Sequence, residues 1–186
     1  MTELIYHVAI TADHFIAGPN GEADESIFRH DGEFVADFLN SVKQYDTVLM
    51  GRKTYEFGFQ FGMKPGERSG VAMASNPEMK HYIFSQMLDF KSNEYVELVR
   101  EDVVGFVTDL KKEDNKKIWI CGGGQLAGTL LDAELIDKLI LKVNPVIIGR
   151  GVPLFGESHK KVRLNLLDFK SFDSGIIVPT YRIEYN

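Results

Sequence analysis

The sequence lacks the features that mark several classes of protein. Cys121 is the only cysteine among 186 residues, so neither an intrachain disulfide nor a cysteine-based zinc site can form within the chain. The five histidines show no metal-ligand spacing. No apolar run approaches the roughly 20 residues that a membrane span requires, and residues 1–4 do not begin a signal peptide. We therefore expect a cytoplasmic protein with neither a membrane segment nor a metal.

The sequence is also short of positive charge. Its net charge is −6, its pI is about 5.4, and it contains no block of five or six basic residues. This composition argues against a nucleic-acid surface, although an acidic protein can still hold a phosphate in a small basic pocket. The length predicts one domain over residues 1–186, and the 44% hydrophobic content is sufficient for a sizeable core.

Apolar runs alternate with helical patterns through the first two-thirds of the chain. Strands are predicted over residues 4–10, 47–50, 81–85, 96–99, 118–121 and 135–143, with 146–148 continuing the last of these after Asn144-Pro145. Helices are predicted over residues 32–42 and 103–112 and from residue 125. Residues 161–169 and 176–185 read as closing antiparallel strands. The pattern predicts an α/β fold whose mostly parallel sheet has an antiparallel edge.

A glycine turn links one buried strand to a helix and is the strongest local signal for a ligand. Residues 118–121 are followed at once by Gly122, Gly123 and Gly124, and apolar residues then return at helical spacing. The first N–H groups of a helix have no partner within the helix, and glycine lets an anion approach them closely. A phosphate or pyrophosphate fits such a turn. A tight turn without a ligand is the alternative.

The two common nucleotide motifs fit this turn only in part. A P-loop would require lysine where Thr129 stands, which argues against ATP hydrolysis by that route. The spacing of Gly122, Gly124 and Ala127 matches the alanine variant of the Rossmann fingerprint. However, the turn comes late in the chain, and residues 142–144 supply no carboxylate for a ribose.

A second strand also ends in glycine, and its turn is basic. Gly51 is followed by Arg52, Lys53 and Thr54. Arginine offers a planar fork to phosphate and lysine a point charge. Taken alone, the two cations could mark a solvated helix start. Beside the neutral glycine turn, they predict a site for both phosphate groups of NADPH, the pyrophosphate and the ribose 2′-phosphate.

Four motifs in this order resemble the dihydrofolate reductase superfamily across nearly the whole chain. They are Ala9 with residues 13–17, the segment Val48-Leu49-Met50-Gly51-Arg52-Lys53-Thr54-Tyr55-Glu56, the pair Phe84-Ser85, and Ile120-Cys121-Gly122-Gly123-Gly124. Residues 135–139 and 144–155 resemble the reductase half of the bifunctional riboflavin-biosynthesis deaminase–reductase, the RibD C-terminal type. The deaminase motifs are absent. The resemblance implies a three-layer fold with helices on both faces of the sheet.

The resemblance also implies roles for particular residues. Ala9 and Ile16 would line the nicotinamide site, and Gly122–Gly123 would be joined by a cis peptide bond. The remaining cofactor-binding residues would be Gly51, Arg52, Lys53, Thr54, Phe84, Ser85, Gln86, Cys121, Gly122, Gly123, Gly124, Gln125, Leu126 and Ala127. The sequence singles out no catalytic residue.

The substrate side is less defined by the sequence. By analogy with the folate enzymes, a carboxylate near the start of the helix over residues 32–42 binds substrate, and this neighbourhood holds Asp31, Glu33, Phe34 and Asp37. Asp31 is the candidate carboxylate, and Phe34 is a candidate wall of the substrate site. Asp31 could instead cap that helix, and Phe34 could belong to the core. Many riboflavin-type members carry a carboxylate where this chain has Cys121, which reads most simply as a small buried hydrophobe.

The implied function is hydride transfer from NADPH to a small substrate, as in a 5-amino-6-(5-phosphoribosylamino)uracil reductase of riboflavin biosynthesis. Dihydrofolate reduction is one alternative, and a non-catalytic NADPH-binding protein is another. The resemblance further implies a homodimer.

Overall fold

The computed structural model describes residues 2–114 and 116–185. Its strands are β1 (Glu3–Thr11), β2 (Phe15–Ala17), β3 (Thr47–Gly51), β4 (Lys80–Phe84), β5 (Val96–Val99), β6 (Lys117–Gly122), β7 (Lys138–Asn144), β8 (Val152–Pro153), β9 (Arg163–Ser171) and β10 (Ile177–Glu184). Its α-helices are α1 (Glu33–Val42), α2 (Arg52–Phe57), α3 (Gly70–Ser75), α4 (Val103–Leu110) and α5 (Gly124–Asp132), and a 3-10 turn covers Gly58–Phe61. None of these helices is long and apolar enough to cross a membrane.

Eight strands form one sheet in the order β5-β4-β3-β6-β1-β7-β10-β9. Neighbours from β5 to β7 are parallel, whereas β10 is antiparallel to both β7 and β9. The prediction of a mostly parallel sheet with an antiparallel C-terminal edge is confirmed. The carboxyl ends of β1, β3, β4 and β6 therefore meet at one edge, where ligands bind in open α/β sheets.

Helices pack on both faces of the sheet and form two apolar clusters. One face carries α4 and α5, whose Val107 and Leu130 are buried with Leu4 and Ile120 from the strands. The other face carries α1, α2 and α3. Its cluster is built on Val42, Tyr45, Tyr55, Ala72, Met79 and Trp119. The two-sided burial explains why the central strands read as nearly continuous apolar runs.

Three aromatic rings and a histidine close the cluster on the α1 face. The Trp119 and Tyr45 rings stack with centroids 5.6 Å apart, and the Trp119 indole Nε1 donates to the His7 carbonyl oxygen at 2.8 Å. The Tyr45 hydroxyl lies 3.0 Å from His7 Nδ1, and Phe38 contacts the His7 ring edge-on. The indole N–H, the Tyr45 hydroxyl and His7 Nδ1 thus each have a partner, as burial requires.

Two sequence-based predictions of local structure were wrong. Residues 146–148 do not continue β7; the chain leaves the main sheet there, and β8 instead pairs with β2 in a small separate sheet. Asp31 does not cap α1, because Gly32 occupies the N-cap position and no side-chain cap bond forms. Asp31 faces solvent and pairs with Arg29 at 3.5 Å.

The small sheet ties the loop after β1 to the segment after β7. The Ala12 N–H donates to the Val146 carbonyl at 2.8 Å. The Asp13 carboxylate accepts the Gly149 N–H at 2.7 Å. Hydrogen bonds from the Thr11 hydroxyl and from the Gly149 and Ile148 backbone hold the pKa of Asp13 below its usual range. The ionised carboxylate therefore fixes the two loops beside the carboxyl end of β1.

Candidate nucleotide-binding cleft

A cleft of about 810 Å³ opens at the carboxyl edge of the parallel strands. Its volume falls in the range of small-molecule sites. Fourteen of the sixteen residues predicted to bind cofactor line it: Ile16, Gly51, Arg52, Lys53, Thr54, Phe84, Ser85, Gln86, Cys121, Gly122, Gly123, Gly124, Gln125 and Leu126. Residues far apart in the sequence are thus brought into one concavity.

The glycine turn forms one wall of this cleft. Strand β6 ends at Gly122, the Gly122–Gly123 peptide bond is cis, and α5 begins at Gly124. Gly123 occupies the N-cap position without a side-chain cap. The N–H groups of the first turn therefore have no side-chain acceptor at an electropositive helix end, and the residues that carry them line the cleft. The cis peptide implied by the resemblance is confirmed.

The neutral glycine turn at residues 122–124 and the basic turn at residues 51–54 lie against each other. A Cβ atom built on Gly122 would lie 3.0 Å from the Thr54 hydroxyl oxygen, and one on Gly123 would lie 3.3 Å from it. A Cβ atom on Gly51 would lie 3.5 Å from the Gly123 nitrogen. Side chains at Gly122 and Gly123 would therefore crowd the Thr54 hydroxyl, whereas one at Gly51 would make only an ordinary contact with the glycine turn.

Three cations line the cleft near the end of β4. Arg52 Nη1 donates to both carboxylate oxygens of Glu56, at 2.8 and 3.1 Å. Lys53 forms no ion pair with any residue that the structure describes. Arg100 donates to Asp89 at 3.0 Å. Together with Ser85 and Gln86, which also line the cleft, they make this end suited to an anion.

Arg100 was missed by the sequence analysis, although a signal for it exists. It follows β5 directly, and β5 lies parallel to β4. Since the carboxyl ends of parallel strands meet at one edge, a cation just after β5 could have been placed beside the residues just after β4. The sequence analysis also missed apolar lining residues that lie on β1, β2, β5, α4 and β8: Val8, Ala17, Val99, Val103, Val152 and Pro153.

Four predicted residues do not line the cleft. On β1 successive side chains alternate, and Val8 faces the cleft whereas Ala9 belongs to the opposite face. Ala127 lies on the buried side of α5 and is fully buried in the core. Asp31 is bound to Arg29 at the surface. Phe34 is 5% exposed and packs against Phe172, so its interpretation as a core residue fits the structure.

Cys121 lies on the cleft wall as a neutral group. Burial raises the pKa of its thiol to about 12, which leaves it protonated near neutral pH. A thiol in that state is a poor nucleophile. Its role in the cleft is therefore one of shape and polarity.

The sheet and its edge cleft together define an α/β domain with a dihydrofolate-reductase-like fold. The chain belongs to the RibD C-terminal domain family, whose model matches residues 2–178. The Bacillus subtilis protein YyaP is 33% identical over 181 residues, which are 96% of this chain and 93% of that protein.

Solved structures share the same fold. A protein from Shewanella sp. PV-4, whose name links it to riboflavin biosynthesis, superposes with a TM-score of 0.76 at 22% identity, covering 98% of this chain and 99% of that one. Dihydrofolate reductase from Enterococcus faecalis, solved as a complex with NADP(H), superposes with a TM-score of 0.64 at 17% identity, covering 97% of this chain and 96% of that one.

Proposed function

We propose that this protein is an NADPH-dependent reductase that transfers hydride to a small heterocyclic substrate of the 5-amino-6-(5-phosphoribosylamino)uracil type. The observation that carries the proposal is the junction of two strand-to-helix turns, one neutral and one basic, on a single cleft. Membership of a RibD C-terminal-like reductase family supports it. A cytoplasmic location fits an enzyme that draws on NADPH.

The residues present fit the phosphate groups of NADPH. The uncapped start of α5, with no side chains on Gly122 and Gly123, suits the pyrophosphate. The cations Arg52, Lys53 and Arg100 suit the ribose 2′-phosphate. When bound, NADPH supplies the hydride, and the protein supplies position and electrostatics.

The apolar part of the cleft would hold the reacting partners. Val8, Ile16 and Val152 line it, and the pairing of β2 with β8 holds the two loops that carry Ile16 and Val152. Apolar walls exclude water, which strengthens the polar interactions that orient bound groups. Among the described residues that line the cleft, Glu157 is the one carboxylate. Asp31, the candidate for the carboxylate that binds substrate in folate enzymes, lies outside the cleft. This position argues against dihydrofolate reduction as the activity.

Nucleotide preference tests the cofactor part of the proposal. We expect Lys53→Ala and Arg100→Ala each to weaken NADPH binding about 10- to 100-fold, because hydrogen bonds to a charged group are worth about 1.5–3 kcal/mol. NADH, which lacks the 2′-phosphate, should bind both variants and the parent protein equally. Calorimetric titration with each nucleotide measures the difference.

The exposed Lys43, at the end of α1 and away from the cleft, supplies a matched control. Lys43→Ala should leave NADPH affinity unchanged. Equal losses for NADPH and NADH in the cleft variants would show that the cations do not read the 2′-phosphate. Absence of saturable binding of either nucleotide to the parent protein would overturn the proposal.

Turnover tests the substrate part. Purified protein should oxidise NADPH when supplied with 5-amino-6-(5-phosphoribosylamino)uracil. The loss of absorbance of the reduced nicotinamide measures this reaction. Turnover of dihydrofolate alone would favour the folate alternative. NADPH binding without oxidation across pyrimidine, pterin and carbonyl substrates would identify a non-catalytic nucleotide-binding protein.

A further inference from the structure

The face of the sheet that α1 covers opens at the carboxyl ends of three neighbouring strands. On β1 and β6, His7 and Trp119 are only 5% and 2% exposed. Further along the same face of these central strands, Ala9 and Cys121 are partly exposed. Burial by α1 therefore ends between these positions. We call the resulting hollow the α1 recess; its floor is formed by Ala9, Cys121 and Lys142, and Lys142 on β7 pairs with Ala9.

The α1 recess adjoins the nucleotide-binding cleft. Cys121 lines the cleft and also packs against the apolar cluster on the α1 face. The loop before α1 runs along both. Ala23 lines the cleft, and its carbonyl oxygen lies 3.2 Å from His30 Nε2. The neighbouring Arg29 N–H donates to the Asn144 side-chain oxygen on β7 at 3.3 Å. A ligand in the cleft therefore has the recess directly beside it.

Lys142 brings a cation without a carboxylate partner into this recess. Its Nζ lies 4.1 Å from the centre of the Phe34 ring and donates to the Arg29 carbonyl oxygen at 2.7 Å. Within the part of the chain that the structure describes, this amine forms no ion pair. An ammonium has three donors, so the Arg29 carbonyl leaves others for a ligand. A partly buried cation is stabilised when a bound group supplies negative charge.

The charge of this amine responds to pH near neutrality. Burial, rather than a charged neighbour, lowers the pKa of Lys142 to about 8. The other titratable side chains on the elements around the recess are in ion pairs, neutral or exposed: Arg29 with Asp31, Asp37 with Lys170, His7 and Cys121, and Glu33 and His30. Lys142 is therefore the group whose charge changes between pH 7 and pH 9.

We propose that Lys142 is a specificity-determining residue, whose ammonium selects a planar heterocycle that presents a carbonyl or anionic oxygen to the α1 recess. This inference rests on the proposed function in taking the substrate to be a small heterocycle. An ammonium offers donors and no acceptor. It therefore pairs with the oxygen-bearing edge of a uracil-like ring and opposes the amino groups of a diaminopyrimidine. Such opposition of donors discriminates strongly between rings of the same shape.

Binding of two small rings to the free protein tests the proposal. Barbituric acid is a uracil-like ring whose oxygens carry a negative charge near neutral pH, whereas 2,4-diaminopyrimidine presents amino groups. Calorimetric titration should show tighter binding of barbiturate to the parent protein. Lys142→Met should weaken barbiturate binding about 10- to 100-fold, as expected for the loss of a hydrogen bond to a charged group. NADPH affinity should not change, because Lys142 lies beside the cleft and not on its wall.

Lys138 supplies the matched control on the same strand. It lies on the same face of β7 as Lys142, and its amine pairs with Glu3 at 2.7 Å. Lys138→Met should leave barbiturate affinity unchanged. Lys142→Arg keeps a cation at the recess and should retain most of the affinity, which separates loss of charge from loss of packing in Lys142→Met.

The pH dependence distinguishes a charge contact from a structural role. Barbiturate affinity of the parent protein should fall about 10-fold between pH 7 and pH 9, because the ammonium is present below pH 8 and lost above it. Lys142→Arg should bind equally at both pH values, since arginine does not titrate there. NMR of the Lys142 Cε gives a readout without substitution, because a bound anion should raise the pKa of the amine.

Three results would overturn the proposal. They are equal barbiturate affinity in the parent protein and Lys142→Met, tighter binding of 2,4-diaminopyrimidine than of barbiturate, and absence of binding of either ring. All three are measured without nucleotide. Failure of the parent protein to bind NADPH would therefore count against the proposed function and would leave the result for Lys142 to be judged separately.

Discussion

Replacement of Gly124 with alanine should lower the free energy of unfolding by about 3 kcal/mol, at the upper end of the usual overpacking penalty. A Cβ atom there would meet the Pro153 carbonyl oxygen at a separation that real Cβ atoms essentially never show, and the Gly156 nitrogen at 2.9 Å. Both are backbone atoms, so no side chain can rotate away. Helix α5 would have to move off the segment that holds it.

The same displacement should damage the cleft. Gly124 is the first residue of α5 and lines the cleft, so the shift would move the helix N-terminus away from the proposed pyrophosphate position. For a chain of this size, 3 kcal/mol corresponds to a fall in Tm of about 6–12 °C. Thermal unfolding with and without NADPH measures both effects, since bound ligand raises Tm according to its affinity.

Gly70 supplies the control for this substitution. It is the first residue of α3, and a Cβ atom built on it meets nothing within 4 Å. Gly70→Ala should be neutral or should stabilise by up to about 1 kcal/mol, because alanine is the better helix former. If Gly124→Ala and Gly70→Ala unfolded alike, close packing of α5 would not be the reason for glycine at position 124.

The sequence predicted those parts of the cleft that are formed by residues adjacent in the chain. A buried strand, three glycines and a helical pattern occur in direct succession at 118–131, and this local chemistry specifies the turn. The run from Gly51 to Thr54 is equally local. The structure adds that the Thr54 hydroxyl lies against Gly122 and Gly123, and such a contact depends on strand order, which a single sequence does not state.

Residues whose environment depends on distant segments were the ones misjudged. Ala9 and Ala127 match their motifs but lie on the side of an element that faces away from the cleft or into the core. Residues 146–148 are as apolar as a strand, but the pairing of β2 with β8 draws the chain out of the main sheet there. Each outcome follows from tertiary contacts that outweigh local propensity.

Acid should destabilise the protein between pH 6.5 and pH 4 through two buried histidines. Burial lowers the pKa of His7 and of His81 from 6.5 to about 4 in the folded state. In this window the unfolded chain binds protons that the folded chain does not, so stability falls as the pH falls. The shifts correspond to about 3 kcal/mol for each histidine, fully present above pH 6.5 and lost as the pH approaches 4.

The contacts of both rings explain why protonation is unfavourable. His81 Nε2 accepts the Ser69 N–H at 3.2 Å, so a proton on that nitrogen would face another donor. Its Nδ1 lies 3.1 Å from the Met79 carbonyl, and Arg68 adds positive charge nearby. The buried His7 ring meets the Tyr45 hydroxyl, and Asp37 and Lys170 oppose each other in their effect on its pKa.

Urea unfolding at a series of pH values measures this linkage. With both histidines present, the free energy of unfolding should change by up to about 2.7 kcal/mol per pH unit from these groups alone. His7→Gln and His81→Gln should each remove about half of that slope, because glutamine keeps a polar group but takes up no proton. The exposed His159 is the control, and His159→Gln should leave the slope unchanged. Slopes equal to that of the parent protein in all three variants would assign the acid sensitivity to carboxylates, whereas a selective loss of slope in the His7 and His81 variants would assign it to protonation of the two buried imidazoles.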